Sequence, residues 1–242
     1  MIGGVHPSLA AWPLAAAVIA GAFAAVLGRR FADRRRPHEG LWCVALLMYA
    51  LASLAMFLGV LDGWSGVEYR VYWLLGAVLN VPFLFAGEVY LLTPRRGVGH
   101  AALGVLLLAT AWAAWVVATA PLHHGELGRT FPLGREVFGA GSGPHRLAQY
   151  YSFPAYFLLL GALLWSAFTM RGRPELRART GGVLAIALGA TVVAIGSGVG
   201  AGFRVVPLFA ASLAVGAALM FWGFLLATRA PAPAPRPAGG PS

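Results

Sequence analysis

The stretch that decides the fold is Gly63 to Leu92, GWSGVEYRVYWLLGAVLNVPFLFAGEVYLL. After a collar of aromatic and charged residues it runs apolar for about twenty positions, enough helix to cross a hydrocarbon core of roughly 30 Å. Comparable runs recur along the whole chain, which is 59% hydrophobic and only 11% charged. The runs are continuous rather than alternating, and in lipid each backbone group must be satisfied within its own segment, so they are helices and not barrel strands. The expected fold is an all-α, polytopic bundle of seven transmembrane helices, with spans at about 9–28, 41–61, 71–92, 100–120, 147–170, 181–200 and 205–228.

The formal charge of +10 would point to nucleic acid in a soluble protein. Here it distributes by side of the membrane. Every Lys/Arg position is arginine. Thirteen arginines, beginning with Arg29, Arg30, Arg34, Arg35 and Arg36, fall in the segments assigned to the cytoplasm, against five in the others. The positive-inside rule then puts the N-terminus outside and the C-terminus in the cytoplasm, in a bacterial inner membrane. The opening MIGGVHPSLAAWP lacks a positive n-region and a cleavage pattern, so the first run reads as a retained helix. Residues 230–242, APAPAPRPAGGPS, read as a disordered Pro/Ala-rich cytoplasmic tail. The single cysteine, Cys43, falls in a span and offers no internal disulfide or zinc pattern.

A partial repeat organises the spans. Arg35-Arg36-Pro37-His38-Glu39 resembles Gly172-Arg173-Pro174-Glu175, and each is followed by a span, an aromatic-Arg pair (Tyr69-Arg70, Phe203-Arg204) and a further span with a late glycine, Gly87 or Gly223. Helices 1–3 and 5–7 read as two parallel copies joined by helix 4, a plan that places binding sites at the repeat interface.

Glu88 is the one acid that the sequence places inside a span, where an unpaired charge costs on the order of 3 kcal/mol. It lies one turn from the helix end, within reach of Arg95 or Arg96, so ion pairing competes with an ion or ligand role. Asn80 and Pro82 occupy the middle of the same helix, and 80, 84 and 88 share a face. Proline frees a carbonyl there, which either lines a small polar cavity or marks a packing kink with Asn80 bonded to a neighbour. Trp64, Tyr69, Arg70 and Trp73, with Phe203 and Arg204, form a candidate outer collar; an interfacial aromatic belt is the plainer reading. The external loop 121–146 holds His123, His124 and Glu126, candidate metal ligands of poor spacing, so the reading is no metal and no cofactor. Gly196 with Gly200, and Gly198 with Gly202, supply a small-residue packing stripe or homodimer seam. No nucleophile–base pair, paired carboxylates or phosphate loop is visible, which argues against an enzyme.

The topology resembles that of microbial rhodopsins, whose retinal lysine this chain lacks. The three-plus-one-plus-three plan is similar to SWEET-type uniporters, without the Pro-Gln motif of the related PQ-loop proteins. The stretch Gly63–Leu92 most resembles a group of uncharacterised actinobacterial seven-helix integral membrane proteins, and that likeness implies the bundle but no activity.

Two functional readings follow. The first is a non-enzymatic ligand-sensing or accessory/scaffold subunit, embedded in the lipid bilayer and working through a membrane-protein partner or as a homodimer, with no nucleic acid. The alternative is a small-solute or proton-linked transporter using the repeat interface and Glu88. Few polar residues fall in helices 2, 4 and 7, which leads to the expectation of a dry, close-packed centre.

Overall fold

The structure is a computed structural model and describes residues 7–93, 95–200, 203 and 205–229. Arg204, Gly202 and the tail 230–242 lie outside the described residues, so the expectations placed on them have no structural counterpart here.

Seven long helices form, each long and apolar enough to cross a bilayer: α1 Pro7–Arg34, α2 Pro37–Asp62, α3 Gly66–Leu92, α4 Arg96–Thr119, α5 Gly143–Thr169, α6 Pro174–Val199 and α7 Val206–Arg229. The chain is a multi-pass integral membrane protein. No strand occurs among the described residues. Local chemistry sets the boundaries. Pro37 opens α2 at a position where its missing N–H is not needed. Gly63, with φ of 88°, turns the chain after α2. Ser65 then begins α3 with a capping box: its hydroxyl accepts from the Glu68 amide at 3.1 Å, and the Glu68 carboxylate accepts from the Ser65 amide at 3.3 Å.

Six helices form a ring in the order α1, α2, α3, α5, α6, α7, and α7 packs back on α1. Helix α4 stands outside the ring against α3 and α5, with Leu107, Leu108, Trp112 and Trp115 exposed along its far side. Such a face is at rest only in lipid. The ring closes between α1 and α7 through Phe23, stacked on Phe221 at 5.0 Å, and through the Arg30 guanidinium, 4.7 Å from the Phe224 ring centre.

Helices α6 and α7 come closest. Gly182 and Gly189 face Gly223 and Gly216, and a Cβ on Gly189 would lie 2.6 Å from the Gly216 carbonyl oxygen. The seam has a seven-residue spacing, one meeting point every two turns. Of the stripe expected at Gly196–Gly200, Gly196 belongs to this seam: it follows Gly182 and Gly189 at the seven-residue spacing and packs on Ser212 of α7. Gly198 faces open space, so the interface follows the seven-residue spacing and not the four-residue one.

Filling this seam carries an overpacking cost of about 1–3 kcal/mol. Gly216→Val is therefore expected to lower the thermal unfolding temperature of the detergent-solubilised protein, and Gly198→Val to leave it within error, as read by a static light-scattering or fluorescence melt.

Candidate functional site

The centre of the ring is hollow. Contrary to the expectation of a close-packed interior, two chambers lie along the ring axis, one of about 550 Å³ toward the loop 121–146 and one of about 380 Å³ toward the arginine-rich end. Leu84, Leu159, Ala190 and Met220 border both and form the partition between them. The sequence conceals this space because its walls are built from ordinary apolar residues.

Helix α3 supplies the wall common to both. Its backbone is irregular: Trp73–Leu79 is π-helical, and Pro82, three residues on, has no N–H to give to the Val78 carbonyl. A neighbouring helix supplies a donor here, as lipid requires, and side-chain bonds in both directions tie α3 to α2. The Ser152 hydroxyl of α5 donates to the Ala77 carbonyl at 2.6 Å. Asn80 Nδ2 donates to Ala45 of α2 at 2.7 Å, and Trp42 Nε1 of α2 donates to Leu84 at 3.1 Å. Ser152 is thus a functional position that sequence reading leaves among inert residues; the signal is its pairing with a mid-helix proline on another span.

The face 80–84–88 runs the length of the axis. Asn80 borders the loop-side chamber, Leu84 the partition and Glu88 the arginine-side chamber. The walls of the loop-side chamber are mostly apolar, and four of its polar side chains bond within the protein, whereas His145 Nδ1 is buried there without a hydrogen-bond partner. Tyr49 Oη donates to Leu213 at 2.9 Å, and Tyr156 Oη to Thr191 Oγ1 at 3.0 Å, beside the bonds of Asn80 and Ser152. Gln149, Phe153, Ser197 and Gly198 border this chamber and are exposed, so it reaches the surface between α5 and α6 on the loop side of the Tyr156–Thr191 bond.

The aromatic collar has a different role from an interfacial belt. Tyr69 is fully buried and Trp64 nearly so, beneath the loop rather than among headgroups. Each aromatic donor latches a loop carbonyl: Trp64 Nε1 to Thr130 at 3.3 Å, Tyr69 Oη to Pro132 at 3.1 Å and Trp73 Nε1 to Pro144 at 3.0 Å. Gly134 lies directly on the Trp73 ring, with no room for a Cβ. The loop segment Phe131–Arg135 consequently roofs the chamber. Arg70 does not pair with Asp62 or Glu68; it donates to the Val117 carbonyl and, at 2.8 Å, to Ala120, satisfying the end of α4. Phe203 is 79% exposed and stands apart from the group, so it is no part of a shared collar.

In the same loop Glu126 is bonded to Arg129 at 2.9 Å, and His123 Nδ1 lies 3.1 Å from the Val137 carbonyl. No group of three or more His, Cys, Asp or Glu converges on a metal position among the described residues.

In the arginine-side chamber Glu88 is 2% exposed and Glu39 4% exposed. The sequence places Glu39 in a cytoplasmic connection, but α2 begins at Pro37 and carries it inward in its first turn, where a carboxylate suits the helix dipole. Glu88 forms no ion pair with Arg95 or Arg96, both exposed, so the expected pairing is not made. Comparison with protein-family models, with curated proteins and with solved structures returned no match.

Removing one latch leaves a buried loop carbonyl without its donor, at about 1–3 kcal/mol. Tyr69→Phe is expected to raise amide hydrogen exchange across residues 127–142 by at least several-fold, with the cores of α1 and α7 unchanged.

Proposed function

We propose that this protein binds a small apolar or amphipathic molecule drawn from the membrane and reports its presence to a membrane partner, acting by binding rather than catalysis. The observation that carries the reading is the loop-side chamber, about 550 Å³ of mostly apolar space in which Tyr49, Asn80, Ser152 and Tyr156 bond within the protein. A polar solute would find few free donors there. An acyl chain, isoprenoid or similar molecule needs none, and a volume in the range of about 300–1,000 Å³ suits one of modest size.

The mouth between α5 and α6 supports the same source. Phe153 lies about 15 Å along α5 from its first residue, by helical rise, which is membrane depth rather than aqueous loop. With the loop-bearing end outside, as the arginine distribution favours, the mouth faces the outer leaflet. The latched roof closes the aqueous route, so the ligand enters sideways from lipid.

Protein purified from native membranes is expected to carry a lipid-derived molecule detectable by native mass spectrometry and lipid extraction. Ala194→Trp, which projects an indole into this chamber from α6, should abolish that retention while leaving the melting temperature within a few degrees. Wild-type protein that retains nothing, or a variant that retains as much as wild type, sinks the reading.

One observation favours transport as a second reading: the two chambers are aligned and share a partition of four apolar side chains. In that case the three-helix halves flanking α4 rock about the partition. In proteoliposomes, trimming the partition with Leu84→Ala and Met220→Ala would raise passive solute flux, and Glu88→Gln would remove any coupling to a proton gradient. Unaltered flux in both variants argues for the binding role alone.

A further inference from the structure

The arginine-side chamber has chemistry that the proposed ligand does not use. Two acids, Glu39 from α2 and Glu88 from α3, are set into a wall with Trp42 and Phe224; His38, Ser166 and Thr228 also line it, the His38 ring edge-on to Trp42 at 5.2 Å. Glu39 Oε2 is buried without any hydrogen-bond partner, and neither carboxylate forms an ion pair among the described residues. Leaving a carboxylate oxygen unpaired at that depth is costly, so a donor belongs there. The rim has the opposite sign. Arg34, Arg36 and Arg179 are exposed at the mouth, with Arg30 held partway in by its stacking on Phe224. These guanidiniums repel a simple cation on approach and attract an anion, whereas the acids inside reject the anion and accept the cation. Only a molecule with both charges matches the sequence of fields from mouth to floor.

We propose that the arginine-side chamber, about 380 Å³ in volume, is a binding site for a zwitterion. Its primary ammonium is held by Glu39 and Glu88 beside the Trp42 ring, and its acidic group by the arginines at the rim. An ammonium donates three hydrogen bonds, which meets the unpaired oxygen of Glu39 and leaves donors for Glu88. Trp42 is fixed for this role by its bond to the Leu84 carbonyl, and its ring packs onto Gly87, where a Cβ would not fit. The proposal is independent of any ligand in the loop-side chamber.

The test uses the full chain in nanodiscs with O-phosphoethanolamine as probe, compared by calorimetric titration with ethanolamine and inorganic phosphate, each of which carries one of the two charges. Charge-assisted hydrogen bonds at each end make the zwitterion at least about ten-fold tighter than either fragment. Glu39→Gln and Glu88→Gln should each weaken it by a similar factor, and Arg30→Gln together with Arg179→Gln should do the same. Ala194→Trp, in the other chamber, should have no effect. If the acid variants fail to fold, the comparison of the three ligands on wild-type protein still decides. Phosphate or ethanolamine binding as tightly as the zwitterion overturns the proposal. Should the soluble probe not bind, nanodiscs of mixed phosphatidylethanolamine and phosphatidylglycerol identify the source. Enrichment of phosphatidylethanolamine with the purified protein assigns the zwitterion to a lipid headgroup, and absence of enrichment overturns the site altogether.

Discussion

The structure depends on how the broken backbone of α3 is repaired. A π-helical segment followed closely by Pro82 leaves carbonyls without an intrahelical donor, and lipid supplies none. The repair comes from α5 through Ser152; α2 adds Trp42 as a donor to α3 and receives the Asn80 amide at Ala45. These bonds hold α3 between α2 and α5. They also account for the place of α4, which follows α3 in the chain yet packs outside the ring. With α2 and α5 on either side of α3 within the ring, the fourth helix covers the outer surface of α3 and α5. The same irregular turn keeps the side chains of α3 from filling the axis, and the two chambers are the space that remains.

Much of the architecture is legible in the sequence because it rests on length and polarity. Seven apolar runs and the helical state of each follow from length and from the cost of burying polar groups, and the shared face of residues 80, 84 and 88 follows from the helical period. What is not legible depends on partners distant in the chain. Trp64, Tyr69 and Trp73 look like an interfacial belt because belts and buried latches use the same residues; only their acceptors at Thr130, Pro132 and Pro144 distinguish them. Glu39 is misplaced by a few residues of helix boundary, enough to move a carboxylate from solvent to a chamber wall. The four-residue spacing draws the eye to Gly196 and Gly198 alike, whereas the helix–helix seam follows Gly182, Gly189 and Gly196 and leaves Gly198 out. The cavities have no sequence signal, since a leucine that lines a space and one that fills it are the same letter.

The two chambers differ in kind although they share an axis. Toward the loop, the walls are mostly apolar, and Tyr49, Asn80, Ser152 and Tyr156 bond within the protein. Toward the arginine-rich end, carboxylates are left open and face a basic rim. The four apolar side chains between them separate these environments over a short distance.

The glycine seam has a mechanical consequence. With backbone pressed against backbone at two levels, α6 and α7 have no slack to slide or separate without opening a void, and they behave as one stiff plank. Any widening of the mouth between α5 and α6 is therefore the work of α5. That helix carries Pro154 beside Phe153, at the height of the mouth, where a missing backbone bond makes bending cheapest.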